Sequence, residues 1–167
     1  MRVLLKVLLL PTVLLMTAAD QRTTATRSPA ALRGAWTLIN SSLTTGDKTT
    51  TDSSPQPGLV LFTDRHYSLM YVEGSAPRMP FADPNPSRAT DAEKLAAYDT
   101  FSGHSGSYLV SDSMVEMQVV VSKWPNLMVT NLRSTFARFA FRLAGDTLRL
   151  TRRGPGAVFT MTLLRAE

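Results

Sequence analysis

The chain of 167 residues contains no cysteine, and that absence removes several classes of protein at once. Neither a disulfide scaffold nor a cysteine-ligated zinc site can be built, so core packing alone must hold the domain together, even in an oxidising compartment. Histidine is nearly as scarce, with only His66 and His104. A two-histidine carboxylate site would need both of them plus Glu116 or Asp99, and no short spacing joins that set. No G-x-S-x-G elbow anchors a hydrolase triad. The stretch "GSAPRMPFADPNPSR" has no phosphate-cradling glycine pattern. An uninterrupted apolar run of the ~20 residues needed to span a membrane is also missing. Lys6 and Pro11 break the one stretch that approaches it, Val3 to Met16. With no catalytic motif, no metal set and no cofactor motif, the reading leans toward a protein that is not an enzyme.

What is present begins with a leader. Arg2 and Lys6 flank the apolar stretch, which ends in the small residues Thr17, Ala18 and Ala19. This is the layout of a secretory signal peptide cleaved after Ala19, and it predicts export to the periplasm or the cell exterior. No cysteine follows the small residues, so a lipid-modified lipoprotein is not expected. Loss of residues 1–19 takes Arg2 and Lys6 with it and lowers the formal charge from +5 to +3. The remainder is long enough for one domain with a sizeable core. Residues 20–31, "DQRTTATRSPAA", read as a flexible polar lead-in, which leaves 32–167 as the folded domain.

Short runs at strand period, separated by turn residues, fill most of that domain. The runs are 35–40, 59–63, 66–73, 104–110, 114–124, 134–143, 147–152 and 158–165. "SSLTTGDKTTTDSSPQPG" between the first two reads as a polar loop. Four prolines in "GSAPRMPFADPNPSR" exclude a ladder strand there. One helix is signalled in "TDAEKLAAYDTFSG": Thr90 and Glu93 form a capping box, Asp91 adds charge to the first turn, and Gly103 stops it. Ala92, Leu95 and Tyr98 fall near one face of that helix. About eight strands joined in sequence by short turns predict an all-β fold, an antiparallel up-and-down barrel with one short helix. An open sandwich is the alternative.

"LRGAWTLIN" then acquires a role. In a closed barrel the first and last strands are neighbours, so Trp36 at the start of one lies beside Arg165 at the end of the other. The guanidinium would stack on the indole, worth ~0.5–1 kcal/mol or ~2 if desolvated. Gly34 lets the chain bend as the strand begins. These three residues read as structural closure of one end.

Five segments, "LRGAWTLIN", "PGLVLFTDRHYSLMYV", "AAYDTFSGHSGSYLV", "KWPN" and "LAGDTLRL", occur in an order that resembles the lipocalin-like domain family of small exported proteins. The resemblance spans most of residues 32–152 and implies a lipocalin-like (calycin-like) barrel with an internal cavity. The chain departs from that family's pattern at Arg65–His66, where a glycine usually precedes the tyrosine. It departs again at Glu116 and Gln118, on a strand that often carries histidine in the family.

The favoured function is binding of a small apolar or amphipathic ligand in the barrel lumen. Inward positions read from the alternation are Leu38, Leu61, Tyr67, Leu69, Tyr71, Val119, Phe139, Phe141, Leu150 and Met161. Packed solid, the same side chains are only a core. The proline-rich segment and the helix are placed to cover the open end. A second reading is an isomerase or cyclase inside the barrel with Glu116 or His104 as acid or base, although both histidines read more simply as rim or surface residues. A third is a structural or envelope-surface module. From Arg133 onward there are seven arginines against Asp146 and Glu167, and Arg138, Arg142 and Arg149 would form a stripe on the outer wall. Such a stripe is either a solvated face or a weak attraction to an anionic surface. Nucleic acid is not an expected partner, because no exposed aromatics interleave with the arginines.

Overall fold

The computed structural model describes residues 29–128 and 137–167. The expected signal peptide at 1–19 and most of the lead-in lie outside the described residues, as do positions 134–136 of the expected sixth strand. Within them the chain forms β1 (Gly34–Thr45), β2 (Lys48–Asp52), β3 (Gly58–Phe62), β4 (His66–Val72), α1 (Asp91–Asp99), β5 (Phe101–Ser111), β6 (Met114–Ser122), β7 (Ala137–Ala144), β8 (Thr147–Gly154) and β9 (Ala157–Arg165). Every pairing is antiparallel. The ladder runs β1, β3, β4 and on in order to β9, and β9 pairs back onto β1, closing an eight-stranded barrel with β2 as an extra strand.

β2 corrects the reading of "SSLTTGDKTTTDSSPQPG" as a loop. β1 continues to Thr45, and β2 returns beside it with Thr45 opposite Lys48. Threonine is β-branched and suits a strand even when polar and exposed. Gly46, at φ 56°, supplies the turn. The Thr44 and Thr49 hydroxyls meet across the hairpin at 2.9 Å. Because polarity was the signal followed, the β-branching was missed.

β1 therefore changes partner along one edge. Gly34–Thr37 pair with β3, and Ser41–Thr45 pair with β2. Its other edge stays on β9 from Trp36 to Thr45, interrupted by a bulge between Leu38 and Asn40. The exchange splits the wall beside Leu38 at one end of the barrel. Away from that split the strands bury alternate residues as a half-buried sheet should. Trp36, Val60, Leu69, Val115, Met117, Leu148, Leu150, Met161 and Leu163 are all at or below 2% exposure.

α1 has the capping box that the sequence announces: Thr90 accepts from the Glu93 amide at 3.3 Å, and the Glu93 carboxylate accepts from the Thr90 amide at 2.8 Å. It ends at Asp99, however, and Gly103 lies inside β5 rather than stopping the helix. Nor does the Leu95–Tyr98 face pack inward, since Leu95 is 59% and Tyr98 47% exposed. Polar ties hold the helix instead. Arg78 donates to the Ala97 carbonyl at 3.0 Å, Ala82 N–H donates to Glu93 at 2.8 Å, and Tyr98 donates to the Lys123 carbonyl at 3.3 Å. No helix among the described residues is long and apolar enough to cross a membrane.

Candidate ligand-binding site

The two ends of the barrel differ in what their inward positions carry. At one end Trp36 pairs with Arg165 across β1 and β9, and the guanidinium lies 4.0 Å from the indole centroid. The indole N–H donates to the Leu32 carbonyl at 2.8 Å. Arg165 donates to the carbonyls of Arg33 at 2.7 Å and Ala31 at 3.3 Å, and its Nε lies 3.7 Å from Asp146. A cation that satisfies several carbonyls while covering a buried ring seals this end. Gly34 sits at φ +120°, and a side chain there would run into the Glu167 carbonyl and the Arg165 guanidinium.

The interior next to this seal is solid. Phe139, Phe141, Leu150, Met161 and Leu69 are all buried and form one cluster with Trp36 and Leu163. Leu61, expected inward, is on the other phase of β3, where Val60 and Phe62 point into the core. The error is a shift of one residue, which inverts a strand of period two. The run "LVLF" is apolar throughout and offers no alternation to fix the phase.

Toward the other end the inward beats become polar or incompletely covered. A hollow of about 300 Å³ opens at the split in the wall, lined by Leu38, Ser41, Leu43, Pro55, Tyr71, Glu73 and Phe159 among others. Gly58 lies between two of these residues, where a Cβ would sit 2.8 Å from the Cβ of Tyr71 and 2.9 Å from that of Leu38. The Tyr71 and Phe159 rings stack at 6.1 Å between centroids. Of the expected inward set, Leu38 and Tyr71 line this hollow, Tyr67 sits deeper in the barrel, and Val119 is half-buried on β6.

His104 is the largest correction. It is half-buried rather than on the rim, it pairs with the inward Leu69 across β4 and β5, and its Nδ1 lies 2.8 Å from the Tyr67 hydroxyl. Burial, assisted by the charge of Arg152, lowers its pKa to about 4, so the imidazole is neutral at physiological pH. Burial also pushes the Tyr67 hydroxyl well above the usual tyrosine range. The fully buried Ser102 donates a short hydrogen bond to Glu73 and also engages Tyr71. The Tyr71 pKa is raised, chiefly by burial; Ser102 and Arg152 lower it and the Glu73 charge raises it. Sequence reasoning missed Ser41, Leu43, Glu73 and Ser102 as site residues, and it read Phe159 as an inward beat without assigning it to the site. Arg152, two positions after Leu150 and four after Leu148, shares their phase on β8, and its side chain is exposed. Ser102 was hidden in a segment read as the end of the helix.

Other sequence candidates lie elsewhere. His66 is exposed at the start of β4. Glu116 is on the outer wall, 3.2 Å from Arg138, and so is not available as an acid or base within the lumen. Arg142 and Arg149 face each other across β7 and β8, and with Arg153 they border a depression of about 380 Å³ on the outside. Among the described residues, no three histidine, aspartate or glutamate side chains cluster as a metal set.

Neither a curated protein nor a solved structure matches the chain. The family model of the lipocalin-like domain does match, over residues 33–157, which takes in the barrel from β1 to the start of β9. The chain belongs to the lipocalin-like domain family.

Proposed function

We propose that this protein binds a small amphipathic molecule in the hollow at the open end of its barrel. One observation carries the reading: the interior is filled at the Trp36 end but leaves about 300 Å³ beside Tyr71 and Phe159. That is the lower end of the size range of small-molecule pockets, and its mixture of apolar walls and a few polar groups is typical of them. Leu38, Leu43, Tyr71 and Phe159 offer apolar contact, while Ser41 and Glu73 offer polar contact at the rim. A closed barrel of the lipocalin-like family fits ligand binding in general. The charged, apolar and small-residue leader at 1–19 supports placing this activity outside the cytoplasm.

The test uses N-phenylnaphthylamine, a neutral dye that fluoresces in apolar surroundings. Wild-type protein should enhance its emission saturably. Leu43→Trp, at a position that is 47% exposed and lines the hollow, should weaken binding about tenfold or more by occupying the space. Unaltered binding in that variant, or no enhancement by the wild type, would overturn the reading.

A further inference from the structure

On the outer wall, β7 and β8 set two arginines directly against each other. Arg142 on β7 is the ladder partner of Arg149 on β8, and Arg153 lies farther along the same face of β8. Like charges directly opposite in an antiparallel pair destabilise it. No carboxylate among the described residues comes within 4.0 Å of these three, Asp112 in the turn between β5 and β6 included. Arg138, on the same wall, is instead paired with Glu116. Arg138 therefore leaves the stripe expected from the sequence, and Arg153 joins it.

The three arginines border the depression of about 380 Å³. Between them lie the short side chains of Ala140 and Thr151, themselves ladder partners. Alternate residues on one face of a strand are about 7 Å apart, so Arg149 and Arg153 rise on either side of Thr151. Ser113, which leads into β6, lines the depression from the other side of β7. The Thr151 and Thr160 hydroxyls meet at 3.3 Å, and with Thr160 as donor the Thr151 proton is left for a ligand.

We propose that this depression is a binding site for a phosphate-type oxyanion, supplied either as a free phosphate or as a lipid head group. A guanidinium presents a planar fork that pairs with two phosphate oxygens at once and is more weakly hydrated than an ammonium. The site carries that fork at Arg142, Arg149 and Arg153, with hydroxyls at Ser113 and Thr151. One bound anion converts the repulsion between Arg142 and Arg149 into a bridge. The site shares no lining residue with the hollow, so it stands independently of ligand binding in the barrel.

Melting curves in inorganic phosphate and in chloride at equal ionic strength read the free anion. Phosphate also stabilises proteins in general by exclusion from their surface, so the comparison between variants carries the test. Wild-type protein should show an apparent phosphate affinity about tenfold or more above that of the double variant Arg142→Gln with Arg149→Gln, as loss of two charge-assisted donors implies. Both side chains are exposed, and in chloride the double variant should melt at or above the wild-type temperature because the repulsion is gone. Arg138→Gln should stay within about twofold of wild type in phosphate affinity. Vesicles separate the two sources. Sedimentation with phosphatidylglycerol but not phosphatidylcholine vesicles, lost in the double variant, assigns the site to a lipid head group. Stabilisation by phosphate without vesicle binding assigns it to a free anion. Equal phosphate responses in wild type and double variant, with vesicle binding absent or unchanged, overturn the site. Equal losses from Arg138→Gln and Arg149→Gln also overturn it, by reducing the effect to the net charge of the wall.

Discussion

At the Trp36 end of the barrel the inward beats are large and buried, and Arg165 beside them is held by carbonyls, the Asp146 carboxylate and an indole. At the Tyr71 end the same alternation delivers Tyr71, Ser102, His104 and Arg152, and the wall splits where β1 leaves β3 for β2. The difference divides one barrel into a packed half and a polar, partly open half. Apolar filling supplies stability at one end, and the polar residues and the hollow at the other are tolerated because of it. A ligand site of the kind proposed would need a preorganised support, and the sealed half would supply it.

The largest expected effect falls on the seal. Trp36→Ala should cost about 3–5 kcal/mol in chemical denaturation, as truncation of a fully buried aromatic does, whereas Tyr71→Ala at the half-open end should cost less than half as much. Equal losses would erase the distinction between the two ends. The next effect is acid sensitivity originating at the open end. His104 titrates near 4 in the folded protein and near 6.5 when unfolded. Between those values the unfolded chain binds the proton first, so stability falls as pH drops from about 6.5 to about 4, by up to about 3 kcal/mol, and this group contributes no further change below that. Denaturation midpoints measured across that range should show the slope in wild type and lose much of it in His104→Phe. A slope that survives His104→Phe unchanged would assign it to another group. The smallest effect belongs to the outer wall. Glu116→Gln breaks an ion pair whose arginine is 64% exposed and should cost less than about 1 kcal/mol with no change in dye binding.

Most of the barrel was legible because strand period and turn chemistry are local signals. The strand starts at His66, Met114 and Thr147 and the Thr90–Glu93 cap are written in consecutive residues. The closure of β9 on β1 followed from the need to remove free edges. The site was less legible. His104 and Ser102 precede "GSYLV" in a stretch of glycine and serine where no apolar alternation marks the inward phase, so their direction is set only by pairing with β4. Leu61 was misplaced for the related reason that an apolar run lacks contrast. The β1–β2 hairpin was missed because threonine reads as polar before it reads as β-branched. Ser41 and Leu43, which line the hollow, belong to the extension of β1 into that hairpin, so a sequence reading that ended the strand at Asn40 had no means of placing them.

The partner exchange in β1 also bears on how the molecule breathes. Trp36 and Thr37 are paired on both sides with strands of the barrel itself, while Ser41 to Thr45 have β9 on one side and only the exposed flap strand β2 on the other. Peeling that flap breaks short, solvated ladders and disturbs none of the packed cluster, so the rim can loosen while the base stays shut. A guest would then come and go past a hinged lip, without global unfolding.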